Sequence, residues 1–298
     1  MKEQITFNNI AFLVLLGLGV SDIEGESYFL GAVLFFKLLQ AAASLKKSRR
    51  RQSGDVAGFV FAGMIIWELL TAKFNILDSF LFPAPNKIIA LFLDELPSML
   101  SGLAGSLYLL GTGYGLALVL SVGAGLVVGY NRRLHDAVQP VSKILSAIPP
   151  IVYIPYAIAL LPAFQWASVL VIFIGAFWPI FVSALNGVLH VDKNIIDSAR
   201  MLHIKGWRML FRIILPSIVP ELMTGCSVGL IFSFILLTSA EMIGATSGIG
   251  WYVKYYSDFG DYDRVIVGIL FIGLVVTAVM GIFDYIQKYL LRWRANDK

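Results

Sequence analysis

The amino-acid sequence predicts an all-α integral membrane protein, a polytopic helical bundle with six core transmembrane helices and an additional N-terminal helical hairpin. Composition is the first reason: 58% of the 298 residues are hydrophobic and 14% charged, with a mean hydropathy of +0.80, whereas a soluble domain carries about 25% charged residues. Spacing is the second. Crossing a hydrocarbon layer of roughly 30 Å takes about 20 apolar residues in a helix, and such stretches recur along the whole chain. Charge placement is the third, since Lys and Arg gather in short runs that all fall on one side once the crossings alternate, as cytoplasmic loops require.

Residues 8–20 and 27–45 are apolar but short, the second stretch containing Lys37 and Gln40. They read as a hairpin whose acidic turn, from Asp22 to Glu26, faces outside. Its first arm lacks the basic start and small-x-small site of a cleaved signal peptide. With the run Lys46, Lys47, Arg49, Arg50 and Arg51, it makes residues 1–53 an apolar hairpin and basic cytoplasmic linker. Core crossings are expected near 57–73, 104–130, 148–162, 166–188, 217–240 and 265–287, inside one transmembrane domain, 54–290, which a cytoplasmic tail, 291–298, follows. The third crossing is short and interrupted by Pro149, Pro150 and Pro155. Prolines remove backbone donors and are tolerated at membrane depth where neighbouring helices or a cavity satisfy the freed groups. Alternation places Arg132 and Arg133, then Lys193, Arg200, Lys205, Arg208 and Arg212, then Lys288, Arg292, Arg294 and Lys298 inside, together with both termini. The opposite loops carry Asp78, Asp94, Glu95, Asp258, Asp261 and Asp263 with Trp251, Tyr252, Tyr255, Tyr256 and Tyr262, the interfacial aromatics expected of an outer face.

A net charge of +4 and a pI near 9.1 thus express topology, and nucleic acid is not an expected partner. Cys226 is the single cysteine; it excludes an intrachain disulfide and reads as a small buried apolar residue. No Gly-Lys pair occurs, so the phosphate-cradling G-x-x-x-x-G-K-[ST] loop is missing, as is H-E-x-x-H. No catalytic or metal site is expected on this chain. His135, His190 and His203 all fall near the inside surface. Ionisable residues within spans are few. Glu68 and Glu241 are placed near outer span ends, where contact with interfacial water competes with a functional role, and Glu221 marks the inner interface. Gly111, Gly113, Gly115, Gly125, Gly129, Gly225 and Gly229 permit close helix approach.

The stretch 190–215 is the one that asks for a partner. It is basic, and its apolar positions Ile195, Ile196, Ala199, Met201 and Leu202, then Trp207, Leu210, Phe211 and Ile214, recur near helical spacing between charges. That pattern predicts two short amphipathic helices that plug a groove on another protein. Asp197, Ser198 and Ala199, followed by a turn and then Ile214, Leu215 and Pro216, resemble the EAA loop of permease subunits in binding-protein-dependent ABC importers. Leu81, Phe82, Pro83, Ala84 and Pro85 resemble the segment before the second core span in the nitrate, sulfonate and taurine branch. Pro149, Pro150, Ile151, Val152, Tyr153, Ile154 and Pro155 resemble its double-proline segment. Ser239, Ala240, Glu241, Met242, Ile243, Gly244 and Ala245, with Gly248, Ile249 and Gly250, resemble its outer re-entry. These matches run in order from about 60 to 293. Two departures stand out. Asp197 and Ser198 replace the usual Glu and Ala, and His203 takes the usual glycine position with Gly206 three residues later, which shifts the expected turn toward Gly206. The outer connection Leu161, Pro162, Ala163, Phe164, Gln165 and Trp166 lacks the branch's glycine.

The resemblance implies the type I ABC importer permease fold in a bacterial plasma (inner) membrane, and a non-catalytic subunit acting as a homodimer or with a related subunit. It implies two ABC ATPase subunits inside, which hold the ATP and Mg, an extracytoplasmic solute-binding protein outside, and no cofactor bound by this chain. Asp197, Ser198, Ala199, His203, Gly206, Leu215 and Pro216 are then the candidates for ATPase coupling. Pro149, Pro150, Tyr153, Glu241 and Met242 are the candidates for the translocation path and outer gate. Bulky acidic replacements of Ala199 and Gly206 are expected to uncouple transport and spare membrane insertion. The implied solute is a sulfonate, taurine, nitrate or similar anion. An ion-gradient-driven secondary transporter is the alternative and calls for several ionisable residues near the midplane. A membrane-embedded enzyme or assembly factor calls for a paired acid-base or metal constellation within the spans.

Overall fold

The computed structural model describes residues 50–74 and 76–293 together with Leu34. The hairpin over 8–45, most of the basic run that follows it and the tail from Arg294 lie outside the described residues. Every regular element among the described residues is helical: α1 (Arg50–Glu68), α2 (Pro85–Tyr130), α3 (Arg132–Ala147), α4 (Ile154–Leu160), α5 (Phe164–Leu189), α6 (Lys193–Met201), α7 (Trp207–Gly244), α8 (Ile249–Asp258) and α9 (Tyr262–Leu290).

Local sequence explains where these helices begin and stop. α2 starts on Pro85, a position where the missing N–H is no loss, and runs 46 residues through Pro97. The crossing expected at 104–130 is therefore the second part of a much longer helix, and Asp94 and Glu95, expected in a loop, are helical. Asn131 caps α3, its side chain accepting the Arg133 and Leu134 amides at 3.1 and 3.4 Å. α3 ends at Ala147 because residues preceding a proline are driven to extended backbone: Ile148 has ψ 120 and Pro149 ψ 119. A 3₁₀ turn over Pro150–Tyr153 then leads into α4, and the axis bends by 77° between α3 and Pro150–Leu160. The crossing expected at 148–162 is thus the far half of a broken helix that begins at 132.

Among the described residues, α2, α5, α7 and α9 are long and apolar enough to cross a bilayer, and the bent pair of α3 with Pro150–Leu160 makes a fifth crossing if it acts as one span. α1 covers most of the crossing expected at 57–73 and continues as a wide turn over Leu69–Lys73, but it opens on Arg50 and Arg51 and is not among the four.

The chain divides into two compact units. One holds the described residues up to Met99 with Val253–Leu270. Within it the Trp67 indole N–H donates to the Pro83 carbonyl at 3.0 Å, and Arg264 joins Glu95 at 2.7 Å and Asp261 at 2.5 Å over the Tyr256 ring. The other holds Leu100–Tyr252 and the described residues from Phe271 onward. Its centre is the pairing of α5 with α7. About half of the apolar stretch of each is buried inside the protein, 56% and 50%, against 28% for α2 and 22% for α9. α5 and α7 are therefore the inner pair. They approach closely at Gly225, where a Cβ would stand 2.5 Å from Ser183. Ala176, Ile180 and Ala184 of α5, Ile218, Leu222 and Cys226 of α7 and Leu126 of α2 form the continuous core.

Candidate functional site

The 190–215 segment is built outward from that core. Asp192 caps α6, its carboxylate accepting the Asn194 amide at 2.9 Å. On the nine-residue helix, Ile196 and Ala199 turn into the core, while Asp197, Ser198 and Ile195 face solvent. The apolar positions read from the sequence as one docking face are therefore split, and Met201 and Leu202, 80% and 74% exposed, stand outside. α6 ends in a Schellman arrangement: the Ile204 amide donates to the Ala199 carbonyl at 3.0 Å and the His203 amide to the Arg200 carbonyl at 2.9 Å. The residue between the two turns, His203, has φ +58 and is the one non-glycine with positive φ among the described residues. The turn is thus not displaced toward Gly206, because an αL histidine closes the helix where glycine ordinarily does. Gly206 serves a second purpose, entering α7 with φ 59 and ψ −135.

The second amphipathic helix expected in this segment is the beginning of α7, which continues unbroken from Trp207 to Gly244. Its turn over Leu210–Ile214 is widened, the Leu215 amide reaching back to the Leu210 carbonyl. Pro216 explains the widening, since it lacks a donor and its ring would press on the carbonyl four residues back in a regular turn. Trp207 and Phe211 stack at 5.7 Å and are both exposed. Met201, Leu202 and Trp207 were visible as apolar periodicity, but only the fold shows that they, rather than Ala199, make the surface.

A second constellation surrounds Glu241. The sequence left it open to interfacial water, yet it is 1% exposed. Ser106 donates its hydroxyl to the carboxylate at 2.5 Å and accepts the Ile249 amide at 3.1 Å, while the Gly250 amide donates to the carboxylate at 2.7 Å. The first turn of α8 supplies the two amides, the Gly250 amide meeting the carboxylate directly and the Ile249 amide meeting it through Ser106, and a helix N-terminus favours such an anion. Gly248, at φ 123, leaves the room: a Cβ there would lie 2.5 Å from the carboxylate. Glu68 is likewise buried, at 2% exposure.

A cavity of about 610 Å³ lies where α3 breaks, lined by Pro149 and Pro150 with residues of α5 and α7. Of the five path candidates, the structure brings these two prolines together; Tyr153 and Met242 do not line the cavity, and Glu241 belongs to the clasp with Ser106. Another cavity, about 820 Å³, adjoins Pro216 and the His190–Glu221 pair, 3.3 Å apart. Among the described residues no group of His, Cys, Asp and Glu is placed to hold a metal ion.

Residues 117–295 match the family described as the binding-protein-dependent transport system inner membrane component. The chain belongs to this family. The permease is 25% identical over 258 residues to a protein of Bacillus subtilis (strain 168), SsuC, named for aliphatic sulfonates transport, covering 85% of this chain and 93% of that one. It is 28% identical over 186 residues to the nitrate import permease protein NrtB of Leptolyngbya laminosa, covering 62% and 67%. With the bicarbonate transport system permease protein CmpB of Synechococcus elongatus it shares 26% over 270 residues, covering 84% and 94%. A chain of the MetNI methionine ABC transporter, solved in inward facing conformations, superposes with a TM-score of 0.57 at 17% identity, over 66% of this chain and 98% of that one. The permease thus has the all-α fold of type I importers and is the multi-pass inner-membrane permease subunit of an ABC importer, as the resemblance implied; the secondary-transporter alternative is not favoured.

Proposed function

We propose that the permease works as one of two copies around a central path, with two ATPase chains docked on the 190–215 segment and a solute-binding protein on the opposite, outer face. Both termini lie in the cytoplasm, and 54–290 acts as the transmembrane domain. ATP and Mg reside on the partner chains, where hydrolysis takes place, and this chain binds no cofactor. The solute is a small anion, a sulfonate, taurine, nitrate or the like, in keeping with relatives named for aliphatic sulfonates, nitrate and bicarbonate.

One observation carries this reading. Met201, Leu202, Trp207 and Phe211 are large apolar side chains exposed within a segment that also presents Lys193, Lys205, Arg208 and Arg212. Apolar surface of that kind, rimmed by charge, marks a protein interface. Asp197 and Ser198 stand exposed beside it. Ala199 anchors the segment, His203 and Gly206 shape its turn, and Leu215 and Pro216 pass its displacement into α7. Closure of the ATPases would then rock α5 and α7 as a rigid pair, with Pro149 and Pro150 on the path and Glu241, Tyr153 and Met242 toward the outer gate.

The test uses the permease reconstituted with its ATPase and binding protein. Met201→Glu with Leu202→Glu should abolish ATP-dependent uptake and ATPase co-purification while membrane insertion and thermal unfolding stay unchanged, because both side chains are exposed. Ala199→Glu is unsuited to the purpose, since it would place a charge in the core. Uptake at the unmodified rate by the double variant would remove the docking role.

A further inference from the structure

We infer that the cavity at the break of α3 selects an organic solute with an apolar body and a small polar head, and disfavours bare inorganic oxyanions. The inference rests on the proposed path through this cavity and narrows the solute class that can use it. None of the described residues that line it is ionisable. The nearest cation along the chain, Lys143, precedes the lining by one helical turn. A compact anion such as nitrate or bicarbonate entering this space surrenders hydration without a fixed positive charge in return, which is unfavourable at low dielectric.

What the cavity does offer is apolar wall and neutral hydrogen-bonding groups. Trp178, Val228, Phe232 and Ile235 supply the wall. The last three are 39%, 40% and 48% exposed, so their side chains are open to the space they border. Ser146 and Thr224 supply hydroxyls, bonded to the Lys143 and Pro220 carbonyls at 3.2 and 3.4 Å; bonds this long are readily exchanged for a ligand head group. At about 610 Å³ the space suits a solute of many heavy atoms.

The test is a chain-length series. Methane-, propane- and hexanesulfonate, with nitrate and bicarbonate, are titrated calorimetrically into the full-length permease in nanodiscs, with empty nanodiscs subtracted. Affinity should rise about three- to fourfold per added methylene, with nitrate and bicarbonate weaker than methanesulfonate. Val228→Phe, which fills the cavity from an exposed position, should flatten the series. Thr224→Val, which removes a hydroxyl at constant volume, should weaken every sulfonate by a similar factor and preserve the slope. A flat series, nitrate or bicarbonate binding as tightly as hexanesulfonate, no binding of any probe, or a slope indifferent to Val228→Phe would each overturn the inference. Binding of the series by a permease whose uptake ignores ATP would instead sink the importer coupling and leave this inference standing.

Discussion

His203 holds a backbone conformation that costs an L-residue about 1–2 kcal/mol, and it does so at the close of the helix that carries the exposed rim. His203→Gly should therefore stabilise the permease by roughly 0.5 kcal/mol once the greater freedom of glycine in the unfolded chain is deducted. His203→Val, β-branched and poorly suited to positive φ, should destabilise it by about 1 kcal/mol or more. Thermal unfolding in detergent resolves the order Gly, His, Val, and any other order would show that the Schellman bonds do not fix this residue. Gly206 gives a cleaner measure of backbone strain. A Cβ there meets no atom within 4 Å, so Gly206→Ala introduces no clash, and its expected cost of about 1–3 kcal/mol comes from φ and ψ alone. The same unfolding measurement checks it.

At the scale of elements, α6 is nine residues long, a length at which a helix leans on its packing and its cap. Asp192→Ala should cost about 1 kcal/mol and raise the hydrogen-exchange rates of the Asn194, Ile195 and Ile196 amides while those of α5 stay as they were. Helices and breaks were the legible part of this protein: apolar runs located α5, α7 and α9, and the proline cluster located the break after α3. What escaped was continuity. Helical periodicity in 207–214 passes without interruption into an apolar stretch, so nothing in the pattern separates an independent amphipathic helix from the first turns of a long one. α2 was cut short for the converse reason, since Asp94, Glu95 and Pro97 lower hydropathy without stopping the helix. The coupling residues were readable as a motif, but which of them face outward was not, because Ala199 and Met201 differ only by where the core lies.

For the whole molecule, the clasp at Glu241 joins residues 106, 241 and 249–250, which no local pattern connects; span-end position alone pointed Glu241 toward water. Glu241→Ala would leave the buried Gly250 amide without its acceptor and the Ser106 hydroxyl with only its longer bond to the Gly102 carbonyl, 3.4 Å, at about 1–3 kcal/mol for the orphaned amide. The expected result is a loss of at least that size in unfolding stability, together with faster exchange of the Gly250 amide. Glu241→Gln, which keeps one acceptor oxygen, should recover part of both.

The length of α2 has a consequence of its own. Forty-six residues at 1.5 Å each follow about 69 Å of helix axis. Even a slant of 40°, near the limit for bilayer helices, would let a single straight crossing take up only about 26 of them in a 30 Å oil slab. About 20 residues are therefore surplus to one crossing, and the end bearing Lys87, Asp94 and Glu95, before Pro97, is the one whose chemistry suits the lipid boundary.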